Sequence, residues 1–145
     1  MAQEQGIDFW EFCRMAEADD SLDRRLDAHQ VALAMEHENC VLGSRLAIWM
    51  LEDADVKVYL TASVEERARR IFQREGGSAE DKLRETMARD AHDSARYQRI
   101  YGIDNNNPSP ADLVIDTENK TPVQIVDIIV DYIGRAVQNK MNEVK

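Results

Sequence analysis

Apolar positions along the chain change their period several times, and each change marks an expected element. β-branched and aromatic residues crowd "VKVYLTA" and predict a strand at about 56–61. "DLVIDT" predicts a second at 112–117, and "NCVL" a short buried one at about 40–43 that ends at Gly43. Helical spacing fills the rest. Ile7, Phe9, Trp10, Phe12, Cys13 and Met15 form a first helix with Asp8 as cap, and Leu22, Leu26, Val31, Leu33 and Met35 form the apolar side of a second over "SLDRRLDAHQVALAMEHE". "RLAIWML" reads as a short helix. Ser63 with Glu66 makes a capping box for "VEERARRIFQRE", and the glycines at 76–77 end it. Ser78 opens a longer helix reaching about Tyr101, and "GIDNNNPSP" is a loop by composition. Thr121, Pro122 and Gln124 cap a last helix whose stripe is Ile125, Ile128, Ile129, Tyr132, Ile133 and Val137, and "NKMNEVK" is expected to fray.

Strands that alternate with helices imply an α/β domain: a parallel sheet in three layers, with helices on both faces. Ligands of such sheets sit off the carboxyl ends of the strands. That rule selects Gly43–Arg45, Thr61–Arg70 and Asp116–Lys120.

Composition narrows this picture. The 145 residues suffice for one domain with a core, and 43% apolar with 32% charged residues is the balance of a soluble globular chain. The pattern predicts neither a membrane span nor a secretory leader. Cys13 and Cys40 lack metal spacing and read as buried thiols. A formal net charge of −10 argues against gripping nucleic acid or an anionic membrane by bulk electrostatics. A small anionic ligand needs only a local arginine cluster.

One stands in "ARDAHDSARY". Arg89, Asp93 and Arg96, at spacings of four and seven, share a helix face with Asp90 beside them. The face is either a salt-bridge ladder, at about 0.2–0.5 kcal/mol per pair, or a clamp with guanidinium forks for phosphate and a carboxylate for a sugar hydroxyl. Other chemistry is sparse. His29, His37 and His92 share no metal spacing, and no Ser-His-Asp or paired-carboxylate site suggests itself. The six glycines form no Gly-Lys pair, so the phosphate loop G-x-x-x-x-G-K-[ST] is not encoded in these residues.

The stretch from "NCVLGSRLAIWMLEDADVKVYLTASVEERARRIFQREGG" through "RETMARDAHDSARYQRIYGID" to "DLVIDT" resembles the cytidylate kinases, the archaeal branch most closely, within the P-loop nucleoside-monophosphate kinases. The resemblance implies transfer of the γ-phosphoryl group of ATP to CMP, giving ADP and CDP, with Mg2+, in the cytoplasm and in pyrimidine nucleotide metabolism. It implies that Arg45, at the end of "VLGSRLA", meets the phosphate of CMP, although Gly43 and Ser44 stand where the family carries a carboxylate and then glycine. Arg67, Arg70 and Arg74 match the arginines leading into the family's lid, three and four residues apart on one helix face. They suit the triphosphate of ATP, with Arg70 also catalytic. The alternative is a solvated helix on which Glu65 and Glu66 pair with them. Arg89 and Arg96 would hold the acceptor and transferred phosphates as catalytic groups, and Asp93 would accept from the ribose hydroxyls. Residues of about 74–100 would form the lid and the helix that closes over CMP.

"MAQEQGIDFWEF" looks like the segment just after the family's second strand. Residues 1–145 are therefore expected to be a single, amino-terminally truncated kinase-like domain, without the phosphate loop and without the strand that the family places between two of those predicted here. Such a chain is expected not to turn over CMP and to self-associate through exposed sheet edges. Two other expectations stay open: a non-catalytic remnant that binds a nucleotide or a partner protein, and another nucleoside-monophosphate kinase.

Overall fold

The structure is a computed structural model and describes residues 20–143. The helix expected from Ile7, and Cys13 with it, lies outside the described residues. Helix α1 spans Asp20–Met35, and the short α2 spans Ala47–Met50. Strand β1 (Val58–Thr61) leads into α3 (Val64–Glu75) and then α4 (Ala79–Tyr101). Strand β2 (Leu113–Asp116) and helix α5 (Pro122–Glu143) follow.

The helix boundaries follow from capping chemistry. Ser63 Oγ accepts from the Glu66 backbone N–H at 3.2 Å, and Ser78 Oγ accepts from that of Asp81 at 3.3 Å. Thr121 and Gln124 exchange side-chain and backbone hydrogen bonds of 2.9 and 3.2 Å at the start of α5. Glu65, Glu66, Glu80 and Asp81 place negative charge in the first turns of α3 and α4, where the helix dipole favours it. Helix α4 stops at Gly102, whose φ of 67° few side chains tolerate.

β1 and β2 pair in parallel, Val58 opposite Leu113 and Thr61 opposite Asp116. The ladder extends at both ends, through Asp112 N–H to Lys57 O and Thr117 N–H to Thr61 O, each 2.8 Å. Parallel pairing brings the carboxyl ends of both strands to one side, so the loop into α3 and the loop into α5 are neighbours. The core gathers Leu46 (2% exposed), Ala68, Tyr97, Ile100 and Ile115, with Leu22 and Ala34 of α1 and Ile48 of α2.

The expected strand at 40–43 does not form. Strands need a neighbour for their backbone N–H and C=O groups, and among the described residues none lies beside this segment. Val41 is 99% exposed. Cys40 is exposed too, against the expectation of a buried thiol, and its Sγ donates to the Ala34 carbonyl at 3.4 Å. A mixed α/β fold with a small parallel sheet is thus present, and the described sheet has two strands.

Helix α5 also departs from its single expected stripe. Ile125, Ile128, Ile129 and Tyr132 are half-buried, but Ile133 and Val137 lie exposed with Val123, Val126 and Val130. At 100° per residue these five adjoin the half-buried four, so apolar side chains cover about half of the helix circumference. The helix also runs to Glu143, beyond the expected start of fraying.

Candidate functional site

Helix α4 turns Asp93 inward to 6% exposure, and three guanidinium groups gather on its carboxylate. Arg45, from the loop before α2, donates through Nη1 to Oδ2. Arg96 donates through Nη2 to Oδ1 at 3.2 Å, and Arg89 Nε stands 3.9 Å from Oδ2. The Arg96 guanidinium also lies over the Tyr97 ring, 5.3 Å from its centroid. Burial, with Asp93 nearby, pushes the Tyr97 hydroxyl above its ordinary pKa. The side chains of Arg45 and Arg89 are 44% and 67% exposed, that of Arg96 19%. Two of the three cations therefore reach solvent while the carboxylate between them does not.

Asp90 belongs to a different pairing. Arg67 of α3 grips it with two hydrogen bonds, 2.9 and 2.6 Å. The guanidinium holds the Asp90 carboxyl below the usual carboxylate range, and Asp90 in turn raises the pKa of Arg67. The fork fastens α3 to α4.

The three arginines of α3 have separate partners. Arg67 also reaches the Ala62 carbonyl at 3.4 Å. Arg70 donates to Glu66 Oε1 at 2.7 Å, to Thr117 Oγ1 at 3.0 Å and to the Thr117 carbonyl at 2.6 Å, tying α3 to the end of β2. Arg74 is 71% exposed and pairs with Glu75 at 2.8 Å. Glu66 is held at about 2 by its hydrogen bond from Arg69 and, further, by that from Arg70. Off the ends of β1 and β2 a hollow of about 470 Å³ opens, lined among others by Glu66, Arg70, Glu118, Lys120 and Thr121. It joins two of the three places that the sheet rule selected.

Sequence reasoning passed over three residues here. Glu118 closes the mouth of β2 by accepting from Ser63 Oγ at 2.6 Å and from the Ser63 N–H at 3.2 Å. Thr117 anchors Arg70. Asp23 of α1 lies with Oδ2 3.4 Å from Arg96 Nε. For Asp23 a signal existed: a charged residue between Leu22 and Leu26 on the apolar side of a helix. Thr117 and Glu118 fall within the Asp116–Lys120 stretch that the sheet rule selected, though no pattern within it marks either residue.

Comparison with known proteins now bears on this arrangement. Residues 2–119 match the profile of the cytidylate kinase-like family. Relatives called cytidylate kinase are 37% identical in Pyrococcus horikoshii, over 99% of this chain and 78% of that protein, and 40% identical in Pyrococcus abyssi, over 89% and 71%. Cytidylate kinase 2 of Borreliella burgdorferi is 41% identical over 93% of this chain and 77% of its own length.

The chain belongs to the cytidylate kinase-like family.

Within that family frame the arginine cluster on Asp93 and the hollow beyond the strands are two distinct polar regions, joined by the Arg67–Asp90 fork. Among the described residues no group of three or more His, Cys, Asp or Glu could hold a metal ion. Among them, too, no helix is long and apolar enough to cross a membrane.

Proposed function

We propose that this chain carries the nucleotide-binding surfaces of a cytoplasmic cytidylate kinase acting in pyrimidine nucleotide metabolism, within a three-layer domain fuller than the two described strands. In the reaction an oxygen of the CMP phosphate bonds to the γ-phosphorus of ATP as the bond to the β-phosphate oxygen breaks, giving CDP and ADP. The convergence of Arg45, Arg89 and Arg96 on one buried carboxylate supports this reading. Here Arg45, Arg89 and Arg96 meet the carboxylates of Asp93 and Asp23, a local positive excess that suits an anionic acceptor on a chain of net charge −10. The CMP phosphate takes donors from Arg45, Arg89 and Arg96, and Asp93 accepts from the ribose hydroxyls. Arg89 and Arg96 act further as catalytic groups on the phosphoryl group in transfer, where positioned cations dominate the chemistry.

ATP belongs on the side of α3. Arg74 approaches the triphosphate from solvent, and Arg67 and Arg70 reach it by exchanging Asp90 and Thr117 for phosphate oxygens, Arg70 with a catalytic share. Phosphoryl transfer in this class also rests on a backbone-amide cradle, a lysine and a magnesium ion held partly by the loop's Ser/Thr. No G-x-x-x-x-G-K-[ST] occurs within the 145 residues. On their own, then, they do not turn over CMP.

Calorimetric titration with CMP, UMP and AMP tests the acceptor, and a coupled ADP-release assay tests turnover, with any upstream coding sequence added back in parallel. The expected result is binding of CMP ahead of AMP, with turnover only in the extended chain. Binding of AMP ahead of CMP would point to another nucleoside-monophosphate kinase. A binding-only protein is the second reading, favoured by Arg67 and Arg70 already having protein partners. It predicts CMP binding with no turnover in either chain.

A further inference from the structure

Asp23 is a buried charge to which the proposed chemistry gives no part. It sits in the first turn of α1, 8% exposed, and its Oδ2 lies 3.4 Å from Arg96 Nε. Both atoms are shut off from solvent and neither has a hydrogen-bond partner. Burying two charges without aligned hydrogen bonds is a poor source of stability, and apolar residues of similar size commonly do as well. Burial accordingly pushes the Asp23 carboxyl above its usual pKa, against the pull of Arg96. The pair makes better sense as a device of orientation. Arg96 donates through Nη2 to Asp93 at 3.2 Å, so carboxylates stand at two nitrogens of one rigid planar group. Asp93 lies on the same helix as Arg96 and cannot fix its plane against that helix's own motion. Asp23 comes from another element. The charges around this pair are Asp20 and Asp27 on α1, Asp93 on α4 and Arg99 one turn on from Arg96. Asp20 is drawn off by Arg99 at 2.6 Å, and Asp27 accepts from the Tyr101 hydroxyl at 2.6 Å. Asp23 is thus the α1 carboxylate left facing Arg96.

We propose that Asp23 is a positioning residue for Arg96, holding the Nε side of its guanidinium so that the group is presented to the acceptor phosphate in one orientation. The proposal rests on the reading of Arg96 as a phosphate ligand. It makes α1 part of the acceptor site without any contact to the nucleotide.

Two readouts on the 145-residue chain test it. The first needs no nucleotide: proton exchange at Arg96 Nε–H, followed by NMR. Exchange is slow in the wild type, where Nε–H is shut off from solvent against the Asp23 carboxylate, and rises by about tenfold or more in Asp23→Asn, which removes the facing charge. The second is calorimetry with CMP and with cytidine. Asp23→Asn weakens CMP by about tenfold and leaves cytidine unchanged, and on an Arg96→Lys background it has no further effect on CMP. If Asp23→Asn does not fold, Asp23→Glu, which displaces the carboxylate by one methylene, is read the same way. Arg96 exchange unchanged in the variant, or equal losses for CMP and cytidine, would overturn the proposal. A wild type that binds no CMP would overturn the kinase reading instead, and the exchange measurement would then decide the orientation of Arg96 alone.

Discussion

Asp93 is one carboxylate shared among three arginines, and the consequences of removing it divide by exposure. In Asp93→Ala, Arg45 and Arg89 can rehydrate, since their side chains are 44% and 67% exposed, whereas the more buried Arg96 is left with Asp23 and the Tyr97 ring. The expected loss of stability is about 1–3 kcal/mol, toward the lower end, read from denaturant melts. In a turnover-competent enzyme the same change weakens CMP more than ATP, because a sugar contact goes; equal weakening of both would count against the assigned role. Arg96→Ala lowers turnover more than acceptor binding if its fork is used mainly in the transition state. Glu66 gives a separate test. Its folded pKa is lowered from 4.5 to about 2. The stability it contributes is therefore complete above 4.5 and is lost as pH falls toward about 2. Melting temperature followed through that window should fall less steeply in Glu66→Gln than in wild type; identical acid slopes would remove Glu66 from the account.

At the scale of elements, local chemistry was legible and distant pairing was not. Ser63, Ser78, Gly76 and Gly102 mark helix ends in the sequence because caps and stops act over a few residues. The arginine face of α4 was legible for the same reason: Arg89, Asp93 and Arg96 need only helical period to align. That Arg67 would choose Asp90 across 23 positions, and Arg70 the carbonyl of Thr117 across 47, depends on how α3 packs, which no local pattern encodes. "NCVL" shows the reverse failure, since its composition suits a strand but pairing is a property of two segments. The Arg67–Asp90 fork yields its own prediction. Arg67→Ala should cost about 1 kcal/mol, the upper end for a partly exposed pair, as hydrogen-exchange protection lost first where α3 meets α4. Uniform loss across the chain would mean that the fork is not a local brace.

For the whole molecule, two strands form a small sheet, and sheets of two strands are marginal alone. Only one edge of β1 is used by β2 among the described residues, and Leu60 and Val114 are about half exposed on the sheet faces. Unpaired edges recruit further strands. The 145-residue chain should therefore associate in a concentration-dependent way in sedimentation experiments, with β1 amides slowed in hydrogen exchange as concentration rises. Protection gained along Val123, Val126 and Val130 instead would assign the contact to the outer face of α5.

The junction between α1 and α4 carries a consequence of another kind. Arg99–Asp20 at 2.6 Å, Arg96–Asp23, Tyr101–Asp27 at 2.6 Å and Arg24 to the Ile100 carbonyl at 2.7 Å make it largely ionic and polar, while Ala68 and Ile115 belong to an apolar core elsewhere. Salt treats these two kinds of contact differently. It screens ion pairs that reach solvent and leaves apolar burial intact. At low salt α1 should stay seated until the core melts. At high salt the order should invert, with α1 lifting first. A fluorophore on Cys40, five residues beyond the end of α1, would report which part moves.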